Sequence, residues 1–279
     1  MLGRGTRREV GGKGANQAIA LARLGAATSL VGAVGDDDDG RMAAAVVARA
    51  GDRALAGLDL GGLRRIRGEP TGLAAITVDA RGENTIVVTA GANAACTPAI
   101  VREEAKRIER SEILIAQLEL PIDSVLEAFG IVDAGRTLRV LNAAPVQPVP
   151  DGLFRLVDVL VVNEIEAATL SGVRDDPDAA ARALLERGPN VVAVTLGDQG
   201  SVAVDHTGNV HRAPAFPVTP VDTTGAGDAF VACFALLQAC GAGVPESLRA
   251  ANVAAALSTM VPGAQAGLPT WDEVAAAVT

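Results

Sequence analysis

Asp228 follows directly on a Gly225-Ala226-Gly227 turn, and no other spacing in the chain carries as much chemical suggestion. Pro217 and Pro220 flank an extended approach. The run Val221-Asp222-Thr223-Thr224-Gly225-Ala226-Gly227-Asp228-Ala229-Phe230 then passes into a long apolar helix. Small residues let backbone N–H groups at a helix N-terminus close on an anion. A carboxylate in the first turn lies within reach of whatever that anion is bonded to. A phosphate cradle beside a carboxylate suits phosphoryl transfer to a hydroxyl: the helix end stabilises charge and the Asp takes the proton. The same residues also suit a plain helix start, with a glycine turn and an acid favoured by the helix dipole. Taken alone, the run leaves both readings open.

The elements that must position it are legible along the chain. Gly11-Gly12-Lys13-Gly14-Ala15-Asn16-Gln17-Ala18 leads into a helix that runs to about Leu24 and stops at Gly25. Apolar runs at 28–34, 113–117, 138–141, 157–162 and 191–196 read as strands, and 98–109, 122–133 and 177–187 read as helices between them. Asp36 to Asp39 precede a helix over about 41–50 and read as helix-start acids in preference to a metal site. Runs at 73–79 and 84–89 flank Ala80-Arg81-Gly82-Glu83, a hairpin signal. A second hairpin spans 201–213. Helices near 226–240 and 245–260 and a short one from Trp271 close the chain.

Continuous apolar strands alternating with helices imply a doubly wound, mostly parallel α/β sheet covered on both faces. Polar or glycine-rich tetrads fall at the strand C-terminal ends, the edge where such sheets bind ligands. Glu119, Asn142, Asn163, Gly197 and Asp228 are therefore expected to converge on one cleft. With no repeat and no linker, residues 1–279 read as one domain with a small β excursion at about 71–90.

Composition excludes several functions. A net charge of −9 and 2% aromatic residues argue against nucleic acid as a partner. No apolar run has the length of a bilayer span, and the N-terminus has no apolar signal core, so neither membrane nor secretion is indicated. The three cysteines, Cys96, Cys233 and Cys240, have no metal-type spacing and read as small buried residues in a reducing cytoplasm. His206 and His211, the only two histidines, flank a Gly208-Asn209 turn and read as hairpin residues. The P-loop, GxGxxG and GxSxG patterns are absent from the sequence.

From Gly11 to about Val274 the chain resembles the ribokinase branch of the PfkB carbohydrate kinase family. The signatures are GGKGANQA at 11–18 and DTTGAGDAF at 222–230. Thr71-Gly72, GANA at 91–94, QLE at 117–119, NEIEA at 163–167, TLGDQG at 195–200 and GAQ at 263–265 agree in order and spacing. The resemblance implies ATP-dependent phosphorylation of a sugar, above all D-ribose to D-ribose 5-phosphate, on a ribokinase-like fold with a β lid. Asp228 would be the base, and Gly225, Ala226 and Gly227 the anion hole. Gly12, Lys13, Gly14, Ala15, Asn16 and Glu119 would bind sugar. Asn163, Thr195, Leu196, Gly197, Asp198, Gln199, Gly200, Gly227 and Asn252 would meet the nucleotide. Glu166 would be associated with Mg²⁺, although Asn163 and Glu166 also suit a helix capping box. Asp222, Thr224, Ser258, Val261, Gly263 and Gly267 match a monovalent-cation site suited to K⁺.

The chain also departs from the family. Only ten residues precede Gly11, where the family carries a first strand, part of the lid and a sugar-binding Asp; the first aspartate here is Asp36. One central strand and one sugar ligand are thus expected to be missing, as from a truncated or misassigned start, with residues 1–10 outside the sheet and a sheet edge or gap exposed. Half a lid weakens the homodimer that such lids form in the family. Asn142-Ala143-Ala144-Pro145 replaces the usual Asn-Pro-Ala-Pro. The alternatives are another PfkB sugar or nucleoside kinase, or a non-catalytic sugar- or nucleotide-binding protein.

Overall fold

The computed structural model describes residues 8–47, 55, 57–78 and 84–278. Four short apolar strands, β5 (Ile113–Gln117), β6 (Leu138–Asn142), β7 (Val159–Asn163) and β8 (Val191–Thr195), pair in parallel in that order. The hairpin β9 (Ser201–Asp205) and β10 (Val210–Ala213) extends the sheet antiparallel beyond β8, making six strands. Successive strand residues face opposite sides. Val159, Val161, Val191 and Ala193 pack on one side against α1 (Lys13–Arg23), α9 (Ala226–Ala239) and α10 (Val244–Ser258). Leu160, Val162, Val192 and Val194 pack on the other against α5 (Ile122–Ile131), α6 (Asp151–Phe154), α7 (Glu164–Ser171) and α8 (Pro177–Leu185). This two-faced burial is why the strands read as unbroken apolar runs. The chain ends on α11 (Trp271–Val278), whose Val274 joins the first of these cores.

A second, two-stranded sheet stands apart. β1 (Thr28–Gly35) pairs in parallel with β2 (Leu58–Ile66) and with no strand of the larger sheet. β2 falls in 51–70, a stretch without any sequence assignment, because Gly61-Gly62 breaks the apolar alternation. The pairing register shifts at that point, between Ser29↔Asp59 and Val31↔Gly62. Among the described residues no strand lies beside β5 on its outer edge. All five β5 residues are only half-buried, whereas β6 to β9 are buried at their centres. Among the described residues β5 is therefore an edge strand of this sheet. Residues 8–10 lie outside any strand; residues 1–7 are outside the described set.

Other differences are local. The helix expected over 98–109 is two, α3 (Pro98–Glu103) and α4 (Ala105–Ile108), interrupted at Glu104, whose carboxylate is taken by Arg64 and Arg107. The helix expected from 41 is α2 (Asp38–Val47), which starts earlier because the Asp37 carboxylate accepts the Gly40 amide at 2.8 Å; 48–50 are outside the described residues. Cys96 and Cys233 are buried as expected, but Cys240 is exposed at the end of α9. His211 pairs with Asp205 at 2.7 Å within the β9–β10 hairpin.

The excursion is an antiparallel ribbon, β3 (Leu73–Val78) with β4 (Asn84–Thr89); its expected turn, 80–83, lies outside the described residues. The base of the ribbon is tied to the end of β1. Thr71 donates to Asp37 through both Oγ1 (2.5 Å) and its amide (2.8 Å), and Thr71 Oγ1 accepts the Gly35 amide at 2.9 Å. A Cβ on Gly35 would lie 2.5 Å from the Glu69 carbonyl, so only glycine lets these backbones meet. Three hydrogen bonds hold the Asp37 carboxyl down to about 2.

Candidate active site

The strand ends lie side by side at one edge. Gln117 pairs with Asn142, and Asn163 pairs with Thr195, one strand over. At this edge α1 and α9 bring their N-terminal turns together. Asp228 sits in the first turn of α9, followed by the fully buried run Ala229–Ala235, with Phe230 and Phe234 stacked at 5.8 Å. Burying each such large apolar side chain contributes about 1.5–3 kcal/mol, so Asp228 stands on a rigid element. Its carboxylate is 5% exposed and is held from α1: Asn16 Nδ2 donates to Oδ2 at 2.8 Å, and Gln17 Nε2 donates to Oδ1 at 2.9 Å. Gln265 Nε2 in turn donates to Asn16 Oδ1 at 3.0 Å.

Gly12, with φ +93°, caps α1 and turns the Lys13 amide onto Glu119 Oε2, 2.9 Å away. A Cβ on Gly14 would come within 3.2 Å of Gln117 Oε1, so small residues keep this face open. Ala15 is half-buried beside them. Burial raises the Asp228 carboxyl above its ordinary value, against the Lys13 charge and the two amides. Burial likewise raises Glu119, with the Lys13 amide and charge opposing and Asp228 adding to the rise. Burial raises Glu166 too, opposed by the Asn163 amide and by Lys13. Lys13 thus acts on three acids spread from 119 to 228 in the chain.

The α9 turn offers amides. Gly225 is left-handed (φ +86°), and Ala226 N already donates to the Thr223 carbonyl at 3.2 Å. The amides of Gly225, Gly227 and Asp228 have no partner among the described residues. They are the ones free to meet an anion, whereas the sequence singled out Ala226 as well. A Cβ on Gly225 would lie 2.5 Å from the Ala264 carbonyl, which locks this turn to the Gly263-Ala264-Gln265 loop.

Below that turn, Asp222 accepts the Thr224 amide (2.9 Å) and the Gly263 amide (2.9 Å), and its own amide donates to the Thr259 carbonyl. Gly267 packs so closely on the Ser258 carbonyl that a Cβ would sit 2.2 Å away. The structure thereby gathers Asp222, Thr224, Ser258, Gly263 and Gly267; Val261 is exposed in the same loop. One carboxylate among loop carbonyls is a donor set that fits a monovalent cation. Asn163 and Glu166 form the capping box foreseen, with Asn163 N donating to Glu166 Oε2 and Glu166 N to Asn163 Oδ1, both at 2.8 Å. A single carboxylate of this kind fits Mg²⁺ held mainly by phosphates and water. Among the described residues no group of three or more His, Cys, Asp or Glu is arranged to hold a metal ion.

Thr195 ends β8, and Gly197, Asp198 and Gln199 form an exposed turn between the buried Leu196 and Gly200. The buried Asn252 amide donates to the Ala213 and Pro214 carbonyls, both at 3.0 Å, and fixes the segment after β10. Sequence reasoning placed Asn142 at the cleft edge but gave no role to Gln17, Gln117 or Gln265 around Asp228. Their only signal was their presence inside quoted motifs or at strand ends.

On a doubly wound α/β fold, a buried carboxylate in the first turn of a helix beside free amides is an arrangement that suits phosphoryl transfer to a hydroxyl. Residues 1–271 match the pfkB family carbohydrate kinases, and the chain belongs to that family. It is 38% identical over 272 residues to the bifunctional ribokinase/ribose-5-phosphate isomerase A of Fructilactobacillus sanfranciscensis, covering 95% of this chain and 48% of that one. It is 38% identical over 269 residues to Bacillus subtilis ribokinase, covering 95% and 86%. It thus spans about half the length of the bifunctional relative and most of the other. The Arabidopsis thaliana ribokinase structure complexed with ribose and ATP aligns with TM-score 0.88 at 30% identity, over 96% of this chain and 87% of that one.

Proposed function

We propose that the chain is the ATP-dependent kinase of D-ribose and forms D-ribose 5-phosphate, as a single kinase domain over residues 1–279 with a lid at 71–90. The observation that carries this is the Asp228 carboxylate, anchored by α1 and lying beside the free amides of the α9 turn. Asp228 takes the proton from the primary hydroxyl as its oxygen bonds to the γ-phosphorus and the bond to ADP breaks. The amides of Gly225, Gly227 and Asp228 meet the charge on the transferring group. Gly12, Lys13, Gly14, Ala15, Asn16 and Glu119 hold the sugar, orienting one hydroxyl at Asp228. Asn163, Thr195 to Gly200 and Asn252 shape the nucleotide side.

Mg²⁺ bound with ATP would neutralise phosphate charge, and Glu166 would be the residue to meet it. K⁺ would be held by Asp222 and the carbonyls of the 258–267 loop, stiffening the turn that carries Gly225. Leu73, Ile76, Val87 and Val88 are exposed on the ribbon, which supports a homodimer through the lid. Among the described residues no helix is long and apolar enough to cross a membrane; ATP as co-substrate and three free cysteines suit the cytoplasm.

The test is ADP release with MgATP and ribose, 2-deoxyribose, fructose or adenosine as acceptor. Ribose is expected to give the highest kcat/KM. A higher value with another acceptor would reassign the substrate, and binding of ribose and ATP without ADP release would make this a binding protein.

A further inference from the structure

Gln17 belongs to neither the sugar-binding nor the nucleotide positions, yet it is 1% exposed and fully committed in hydrogen bonds. Its Nε2 donates to Asp228 Oδ1 (2.9 Å) and to Asn142 Oδ1 (3.1 Å), and its Oε1 accepts from Gln117 Nε2 at 2.5 Å. Asn142 is anchored in turn, its Nδ2 donating to the Val161 carbonyl at 3.1 Å. A carboxylate only accepts hydrogen bonds, so the amide of Gln17 must present its nitrogen to Asp228. Both of its N–H groups and its carbonyl are then used. The chain of amides joins the ends of β5 and β6 and the middle of β7 to the first turn of α9.

We propose that Gln17 is a positioning residue: its side-chain amide fixes the rotamer and the ionised form of Asp228 and keys the base to the strand ends that carry the substrate loops. This rests on the kinase reading of Asp228. Asn16 holds the other carboxylate oxygen, but among the described residues the hydrogen bonds that connect Asp228 to the sheet run through Gln17. The hydrogen bond it donates favours the charged form that accepts a proton. The charges that act on Asp228 are Lys13 of α1 and Glu119 after β5. β6 contributes the neutral Asn142, and α10 presents alanines such as Ala251 and Ala254 to the same core.

The test pairs Gln17→Met, which keeps length and removes every polar contact, with Gln117→Leu, which frees Gln17 at its far end and spares Asp228. The Asp228 carboxyl is titrated by ¹³C NMR with labelled aspartate, and ribose phosphorylation is followed against pH. In Gln17→Met the carboxyl should titrate at higher pH than in the wild type, and the acid limb of kcat/KM should move up with it. kcat should fall about 10- to 100-fold, with the ribose KM changed by less than about threefold. Gln117→Leu should shift the titration in the same direction by less, which keeps the idea testable if Gln17→Met does not fold. A carboxyl that titrates at the wild-type position in every variant that folds would overturn it. The titration needs no substrate, so failure of the wild type to phosphorylate ribose would count against the kinase reading and leave this result standing.

Discussion

Asn16 Nδ2 lies 2.8 Å from Asp228 Oδ2, although 212 positions separate them in the chain. The contact joins the two glycine-rich motifs, one opening α1 and the other opening α9. Neither motif is a site alone. Packed together they make a buried, fully accepted carboxylate at the mouth of a parallel sheet.

The first prediction concerns pH. Burial raises Asp228 and outweighs Lys13 and the amides. If Asp228 is the base it works only as carboxylate, so kcat/KM should fall on acidification along a limb above the ordinary Asp value of about 3.9. A limb at or below that value would contradict the assignment. Glu119 is raised as well, chiefly by burial. A carboxyl whose folded pKa is raised stabilises the fold below its unfolded pKa and loses that contribution as pH rises through the folded one. Glu119→Gln should therefore raise Tm at pH 7 relative to wild type, should show no such gain near pH 4, and should weaken ribose binding. Melting curves at the two pH values decide this.

Much of this site was legible in the sequence, and the reasons differ by residue. Asp228 was visible because a carboxylate after Gly-Ala-Gly is a local pattern. Glu119, Asn142 and Asn163 were visible because strand ends can be placed by apolar runs. Gln17 was hidden although it stood inside a quoted motif. A glutamine on a helix reads as solvent-facing until the packing of α1 on α9 is known. β2 was hidden for a local reason, since Gly61-Gly62 interrupts the alternation that marks a strand. Asp37 was correctly a helix-start acid, but its second partner, Thr71, is a tertiary contact.

Gly225 is the next test. Its φ is +86°, and an added Cβ would meet the Ala264 carbonyl at 2.5 Å. Gly225→Ala should cost about 1–3 kcal/mol of stability from the strained backbone and displaced loop. It should also raise the KM for ATP and lower kcat, because the free amides move. Chemical denaturation and steady-state kinetics check both parts, and a variant with wild-type values in both would show that the turn does not need this conformation.

The lid base gives a third. Thr71→Val removes the hydroxyl that donates to Asp37 and accepts from Gly35. Hydrogen exchange of the Gly35 and Thr71 amides should quicken while the β6–β8 core keeps its protection. The Asp37 carboxyl is depressed to about 2, so its contribution to this anchor is present above the unfolded value of about 3.9 and is lost as pH falls through 2. Wild-type exchange at pH 5 should accordingly match that at neutral pH after correction for intrinsic rates. Unchanged exchange in Thr71→Val would show that the ribbon is held by other contacts.

The most direct measurement is made on Asp228→Asn. The substitution keeps shape and one acceptor oxygen and removes the ability to take a proton. Ribose-dependent ADP release should fall by about a thousandfold, while calorimetric affinities for ribose and for an ATP analogue stay within a fewfold of wild type. Turnover near the wild-type rate in Asp228→Asn would contradict Asp228 as the base.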